Sequence, residues 1–299
     1  MLNQATPHLR TMTAADISAG MRLKETAGWN QTKEDWERFL QADPEGCFVA
    51  EWNGHVAGTV TTIIYENRFA WIGMVLVDPQ LRAKGIGTAL LLKAIEHLDS
   101  KKIPCVKLDA TPQGKPIYTR LGFHIEYEIE RHSLTREATR PNPVTENDGA
   151  SIKTNAFATR DASEQIEALL EMDREIFGAN RSALLRSLAG YAPELVTVTH
   201  TSGAVKGFAL GRKGSLADHL GPWAAWNGLA AREALEGFLL RSQRQVVFVD
   251  VVRDNPWALA LLAAKGFHFS RNLTRMYRGE NAHPGRPHFL CAILGPEFG

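Results

Sequence analysis

Apolar positions recur along this chain at two different spacings. Residues 47–60 alternate short apolar runs with turn residues. Cys47-Phe48-Val49-Ala50-Glu51-Trp52 and His55-Val56-Ala57-Gly58-Thr59-Val60 flank Asn53-Gly54. Both turn residues tolerate positive φ, so the segment predicts a β-hairpin. A further run, Trp71-Ile72-Gly73-Met74-Val75-Leu76-Val77, predicts a strand that stops at Asp78-Pro79. From residue 89 the spacing changes. Leu90, Leu91, Ala94, Ile95 and Leu98 fall on one helical face. Thr32, with Asp35 three residues on, marks an earlier helix start.

The second half repeats this order in weaker form. Val196-Thr197-Val198-Thr199 and Ala204-Val205-Lys206-Gly207-Phe208 flank a Thr201-Ser202-Gly203 turn. Leu220-Gly221-Pro222-Trp223 corresponds to the Trp71–Val75 run, and Val247-Phe248-Val249-Asp250 to Val106-Lys107-Leu108-Asp109. Ala264-Lys265-Gly266-Phe267 corresponds to Arg120-Leu121-Gly122-Phe123. Residues 136–152 lack apolar periodicity, carry Pro141 and Pro143, and read as a linker. The expected organisation is therefore a domain at 1–135, a linker at 136–152 and a domain at 153–299. Each domain would be an α/β fold with a mixed sheet.

The two copies differ at one place. Gly73 and Asp109 lie 36 positions apart, whereas Gly221 and Asp250 lie 29 apart. The extra length in the first copy holds Arg82-Ala83-Lys84-Gly85-Ile86-Gly87-Thr88, a basic glycine-rich loop that opens the helix. Such a loop suits an anion. Glycine lets the backbone approach it closely, the free N–H groups of the first helical turn point at it, and the helix dipole favours negative charge. A P-loop would need Lys between the last glycine and Thr88, and a dinucleotide fingerprint would need glycine at Leu90. What remains, Arg-x-x-Gly-x-Gly after a strand ending in Val-Asp-Pro, resembles motif A of the GNAT superfamily of acyl-CoA-dependent N-acyltransferases. The segment Asp173-Arg174-Glu175-Ile176-Phe177-Gly178, with Gly211-Arg212-Lys213-Gly214 and Leu220-Gly221-Pro222, resembles the C-terminal domain of the YitH-like tandem acetyltransferases. The expectation is two tandem GNAT folds, the second lacking the pyrophosphate loop.

Composition narrows the function classes. The 299 residues carry 34 Lys and Arg against 33 Asp and Glu, a formal net charge of +1. No global field attracts nucleic acid or an anionic membrane. No apolar run approaches membrane-spanning length, and residues 1–7 have no signal-peptide core. Three scattered cysteines, Cys47, Cys105 and Cys291, show no metal-ligand spacing and read as buried thiols. A cytoplasmic protein without a metal, and without nucleic-acid or membrane partners, is expected.

The resemblance also implies roles. Acetyl-CoA would be the co-substrate, with its pyrophosphate on Arg82, Ala83, Lys84, Gly85, Ile86, Gly87 and Thr88. Its pantetheine arm would lie along Val75, Leu76 and Val77, with Thr111 where many relatives have Asn. A backbone N–H near Met74 or Val75 would polarise the thioester. Tyr118, four residues before Gly122-Phe123, would serve the leaving sulfur. The Trp71–Val75 strand offers no carboxylate as base, so Asp109 is the nearest candidate, unless it caps the following turn. Trp29, Asn30 and Trp71 would wall the acceptor site. The leading function is acetyl transfer to a small-molecule amine. The alternatives are a non-catalytic acyl-CoA-binding regulator and an aminoacyl-transferring tandem GNAT that uses charged tRNA.

Overall fold

The computed structural model describes residues 6–137 and 162–299. In the first half these form β1 (His8–Thr11), α1 (Ile17–Thr26), α2 (Lys33–Ala42), β2 (Phe48–Trp52), β3 (His55–Tyr65) and β4 (Phe69–Val77). They continue with α3 (Ile86–Ser100), β5 (Cys105–Ala110), α4 (Lys115–Arg120) and β6 (His124–Thr135). The second half gives α5 (Ala162–Phe177), α6 (Ser182–Tyr191), β7 (Val196–Thr201), β8 (Ala204–Lys213), β9 (Asp218–Ala225) and α7 (Gly228–Arg241). It closes with β10 (Val246–Val252), α8 (Ala258–Ala264), β11 (His268–Gly279) and β12 (Leu290–Ala292). The local signals act as expected. Asn53 and Gly54 take φ of 50° and 78° in the β2–β3 turn, and Thr32 N donates to Asp35 Oδ2 at 2.9 Å at the start of α2. The strand β1 was not anticipated. It adds to the edge of the hairpin by pairing with β2.

Among the described residues, twelve strands join one mixed sheet in the order β1-β2-β3-β4-β5-β11-β6-β10-β12-β9-β8-β7. The order shows that the closing strands are exchanged. Strand β11, from the second half, pairs with β5 of the first. Strand β6, from the first half, pairs with β10 of the second. The two sequence halves are thus repeats of fold, but each borrows its last strand from the other.

Two equivalent ion pairs fasten the exchange. Arg131 on β6 binds Asp250 on β10 at 2.8 and 2.6 Å, and Arg275 on β11 binds Asp109 on β5 at 2.9 Å through both oxygens. All four side chains are buried. One apolar core underlies α3 and another underlies α7. A third joins the halves through Trp36, Phe39, Tyr65, Phe69, Phe177 and Phe298. Arg136, expected to begin the linker, is instead docked on the second half. Its N–H donates to Gln245 O at 2.8 Å and its guanidinium to Leu239 O. The remainder of the expected linker, beyond Glu137, lies outside the described residues.

Candidate active site

Strands β4 and β5 pair in parallel only at Ala70–Val106 and Trp71–Lys107, then separate. The divergence begins at a bulge. Across from Thr59 and Thr61 the register of β4 slips, and Met74 within the slip takes φ of 49°. Thr59 Oγ1 donates to Met74 O at 2.8 Å and helps hold this conformation. A left-handed non-glycine residue in a bulge is a strained, re-aimed backbone of the kind found at functional sites. Beyond it, Leu76 and Val77 keep β3 on one side, and with Val75 they face an open groove of about 630 Å³ on the other.

The basic loop closes one end of that groove. Ala83 and Gly85 both adopt left-handed conformations, φ 63° and 80°, and Gly85 caps α3. The first bond of the helix runs from Ala89 N to Gly85 O at 2.9 Å, so the preceding amides lie off the helix end, free for an anion. Arg82, Ala83, Gly85, Ile86, Gly87 and Thr88 line the groove with Val75, Leu76 and Val77. Lys84 does not; its Nζ lies over the Trp52 ring, 5.0 Å from the centroid. Gly87 lies inside α3, and a Cβ there would meet only Val77 Cγ2, at 3.3 Å. Its function in such a cradle is close approach to the anion, not an unusual φ. Amide nest, groove and open strand edge together fit a pyrophosphate with a long amide-bearing arm.

A second, smaller cavity of about 100 Å³ adjoins the groove. Trp29, Val75, Thr111, Tyr118 and Arg271 line both spaces and mark their junction. The Tyr118 ring packs edge-on against Phe123, with centroids 6.0 Å apart, and lies where a Cβ on Gly114 would approach to 2.8 Å. Burial pushes its phenol up to about 12, so the hydroxyl stays protonated at any working pH. Thr111 Oγ1 accepts from Gly114 N at 3.2 Å. Asn30 lines the chamber, and its side chain is held by the second half. Its Nδ2 donates to Ala217 O, and its Oδ1 accepts from Leu216 N and Ala217 N.

Two expectations need correction. Trp71 does not wall this chamber. It is buried behind it, its Nε1 donates to Pro296 O at 2.9 Å, and Arg275 stacks on its ring at 4.5 Å. Asp109 reaches the chamber wall but has no free oxygen, because Arg275 occupies both. Burial raises its carboxyl while Arg275 pulls it back. It is a positioning partner for β11, and its geometry lends no support to a base.

The exchanged strands and the tail complete the chamber: Arg131 on β6, Arg271 and Leu273 on β11, and Pro296 and Glu297 on the C-terminal tail. A signal for the two ion pairs was present. Arg131 follows Phe123 by the same interval as Arg275 follows Phe267, so the repeat carries the arginine along with the aspartate.

The tail itself crosses both halves. Strand β12 lies between β9 and β10, pairing with Ala224, Trp223 and Val251, so it fills the gap that is open between β4 and β5. Gly221 on β9 would place a Cβ 1.9 Å from Ile293 O, and Gly73 on β4 would place one 2.6 Å from Glu297 O. Both positions need glycine because the tail backbone passes directly over them. The connection from strand to helix is also shorter in the second half. Residues 226–227 connect β9 to α7, against residues 78–85 between β4 and α3. Asn227 caps α7 by accepting from Ala230 N at 2.9 Å. Asn255 accepts from Trp257 N and Ala258 N and donates to His288 O.

Comparison with known proteins places the chain in a family. An acetyltransferase (GNAT) family model matches residues 19–123 and an acetyltransferase (GNAT) domain model matches residues 169–291. The chain is 26% identical to a holothin acyltransferase of Pseudoalteromonas sp. (strain SANK 73390), over 91% of this chain and 87% of that one. It is 26% identical to the uncharacterized N-acetyltransferase YitH of Bacillus subtilis (strain 168), over 65% and 64%. A solved structure assigned as an acetyltransferase, from Pyrococcus horikoshii, superposes with a TM-score of 0.75 at 21% identity, covering 98% of this chain and 96% of that one. A tandem GNAT protein from the clavulanic acid biosynthesis pathway gives 0.59 at 17% identity, covering 92% and 98%. Among the described residues, no helix is long and apolar enough to cross a membrane.

Proposed function

The chain belongs to the GNAT superfamily, an acyltransferase with one such domain in each half, and we propose that its first half transfers an acetyl group from acetyl-CoA to a small-molecule amine. The observation that carries this reading is the junction. A groove with an amide nest at one end and an open strand edge along its side meets a smaller chamber at Tyr118 and Val75. The Ala83–Thr88 amides would hold the pyrophosphate and the Val75–Val77 edge the pantetheine amides. The bound thioester supplies the acyl group: a C–N bond forms as the C–S bond breaks, the amine loses a proton and the sulfur gains one.

The chain's own groups serve those needs. The strained Met74 backbone re-aims the β4 amides at the point where the thioester oxygen would lie, which suits them to stabilise developing negative charge. Tyr118 directs its O–H to the departing sulfur. Its pKa of about 12 exceeds the roughly 8.5 of an ordinary thiol. It therefore acts first by donating a hydrogen bond, not by full proton loss. The filled gap between β9 and β10, and the capped start of α7, support a single cofactor site, in the first half.

The test combines binding and turnover. Calorimetry should show acetyl-CoA binding that Gly87→Glu abolishes, because a carboxylate would enter the pyrophosphate cradle. A thiol-detecting assay across a panel of amines should show amine-dependent release of CoA. Unchanged affinity in the variant, or no release with any amine, would overturn the proposal.

A further inference from the structure

The exchanged strands bring two arginines side by side. Arg271 on β11 is the direct cross-strand partner of Arg131 on β6, and both line the acceptor chamber. Like charges facing each other across a ladder repel. One of the two is neutralised: Arg131 is held by both oxygens of the buried Asp250. Arg271 is not. Among the described residues no carboxylate lies within ion-pair distance of it, and its buried Nε has no hydrogen-bond partner. Its pKa is lowered, first by burial and then by Arg131. A slip in the β11 register between Phe269 and Arg271 sets its direction. The other charges around the chamber are balanced. Asp109 is paired with Arg275, Glu297 accepts from Arg212, and Asp35, which Arg212 also binds, has a second partner in Arg38 at 3.0 Å. The chamber therefore holds one uncompensated cation.

The same space offers acceptors for a donor. Glu297 keeps Oε2 unpartnered, and Gln31 keeps Oε1 unpartnered. Arg212 holds the Glu297 carboxyl below its usual range, so it stays ionised. Buried polar atoms without partners are rare enough in folded proteins to need an explanation. Here three of them belong to side chains that line one cavity. Arg271 lines this space as a cation that an anionic group would meet, and the Glu297 carboxylate gives the same space an acidic wall toward which an amine end would turn. The cavity volume of about 100 Å³ admits roughly seven to ten water-sized groups.

We propose that the acceptor is a small amino-acid-class molecule, an amine that also carries a carboxylate, with that carboxylate bound by Arg271. This rests on the acetyl-transfer reading above and narrows its substrate. Arg271 also borders the cofactor groove, so the test must separate the two attachments.

Calorimetry of the full chain with CoA present would compare small amino acids with their decarboxylated or esterified counterparts. The amino acids are expected to bind at least tenfold more tightly. In the thiol-release assay, Arg271→Ala should raise KM for the amino acid by roughly 10- to 100-fold, the range of a hydrogen bond to a charged group. KM for acetyl-CoA should stay within about twofold, and Arg271→Lys should recover part of the loss. Equal binding of both ligand sets, or a rise confined to the KM for acetyl-CoA, would overturn the inference while leaving acetyl transfer intact. No turnover with any amine would overturn the acetyl-transfer reading, and this inference would fall with it.

Discussion

Replacing Asp109 by Asn separates a base from a structural partner. Asp109 has a fully buried side chain and binds Arg275 through both oxygens at 2.9 Å. Arg275 in turn donates to Tyr127 Oη and stacks on Trp71 and Tyr127, at 4.5 and 5.0 Å from the ring centroids. Asparagine keeps the shape and one hydrogen bond but removes the charge, so the guanidinium is left buried with only neutral partners. Breaking a buried pair from one side costs about 3–5 kcal/mol. At roughly 2–4 °C per kcal/mol for a chain of this order, Tm should fall by about 6–20 °C. Differential scanning calorimetry measures the fall, and kcat at a temperature where the variant is folded measures any catalytic role. Arg275→Met on top of Asp109→Asn should recover part of the lost stability, because no unpaired charge remains. A variant with parental Tm and a kcat lowered by about 10² or more would refute the structural assignment and restore Asp109 as base.

Four further outcomes follow from the geometry. Tyr118→Phe should lower kcat by roughly 10²-fold with little change in KM for acetyl-CoA. The parent enzyme's kcat should show no descending limb at about pH 10, where an unperturbed tyrosine titrates; a limb there would contradict the raised phenol. Gly73→Ala would place a methyl carbon 2.6 Å from Glu297 O. It should displace the tail and raise KM for the acceptor more than KM for acetyl-CoA in steady-state kinetics. Acetyl-CoA titrated into the full chain should saturate at one equivalent, and a second equivalent would show that the β12-filled gap opens.

Much of the cofactor side was legible in the sequence because it is local. The Asp-Pro stop, the left-handed loop and the amphipathic helix sit within a few turns of each other, and backbone preference with apolar spacing is enough to form them. Tyr118 and Thr111 were assigned from the family resemblance, and both sit in the short stretch from the end of β5 through α4. The duplication was legible too, down to the shorter connection after β9.

The acceptor side was decided by contacts distant in sequence. Strands β6 and β11 carry the same alternating pattern whichever neighbour they choose, so nothing in their periodicity reveals that they are exchanged. That choice is made by packing and by the reciprocal Arg131–Asp250 and Arg275–Asp109 pairs, whose members lie more than a hundred residues apart. Strand β12 spans Leu290–Ala292, too short to announce itself, and it forms because the gap between β9 and β10 offers unpaired backbone. Arg271, Glu297 and Arg131 read in sequence as ordinary charges on two strands and a tail. Only the assembled sheet places them around one chamber and leaves one of them without a counter-charge. The sequence by itself determined a cofactor loop, a helix to carry it and a repeated fold. The tertiary structure decided which half keeps an open groove and what chemistry faces the acceptor, because both depend on where strands from opposite halves meet.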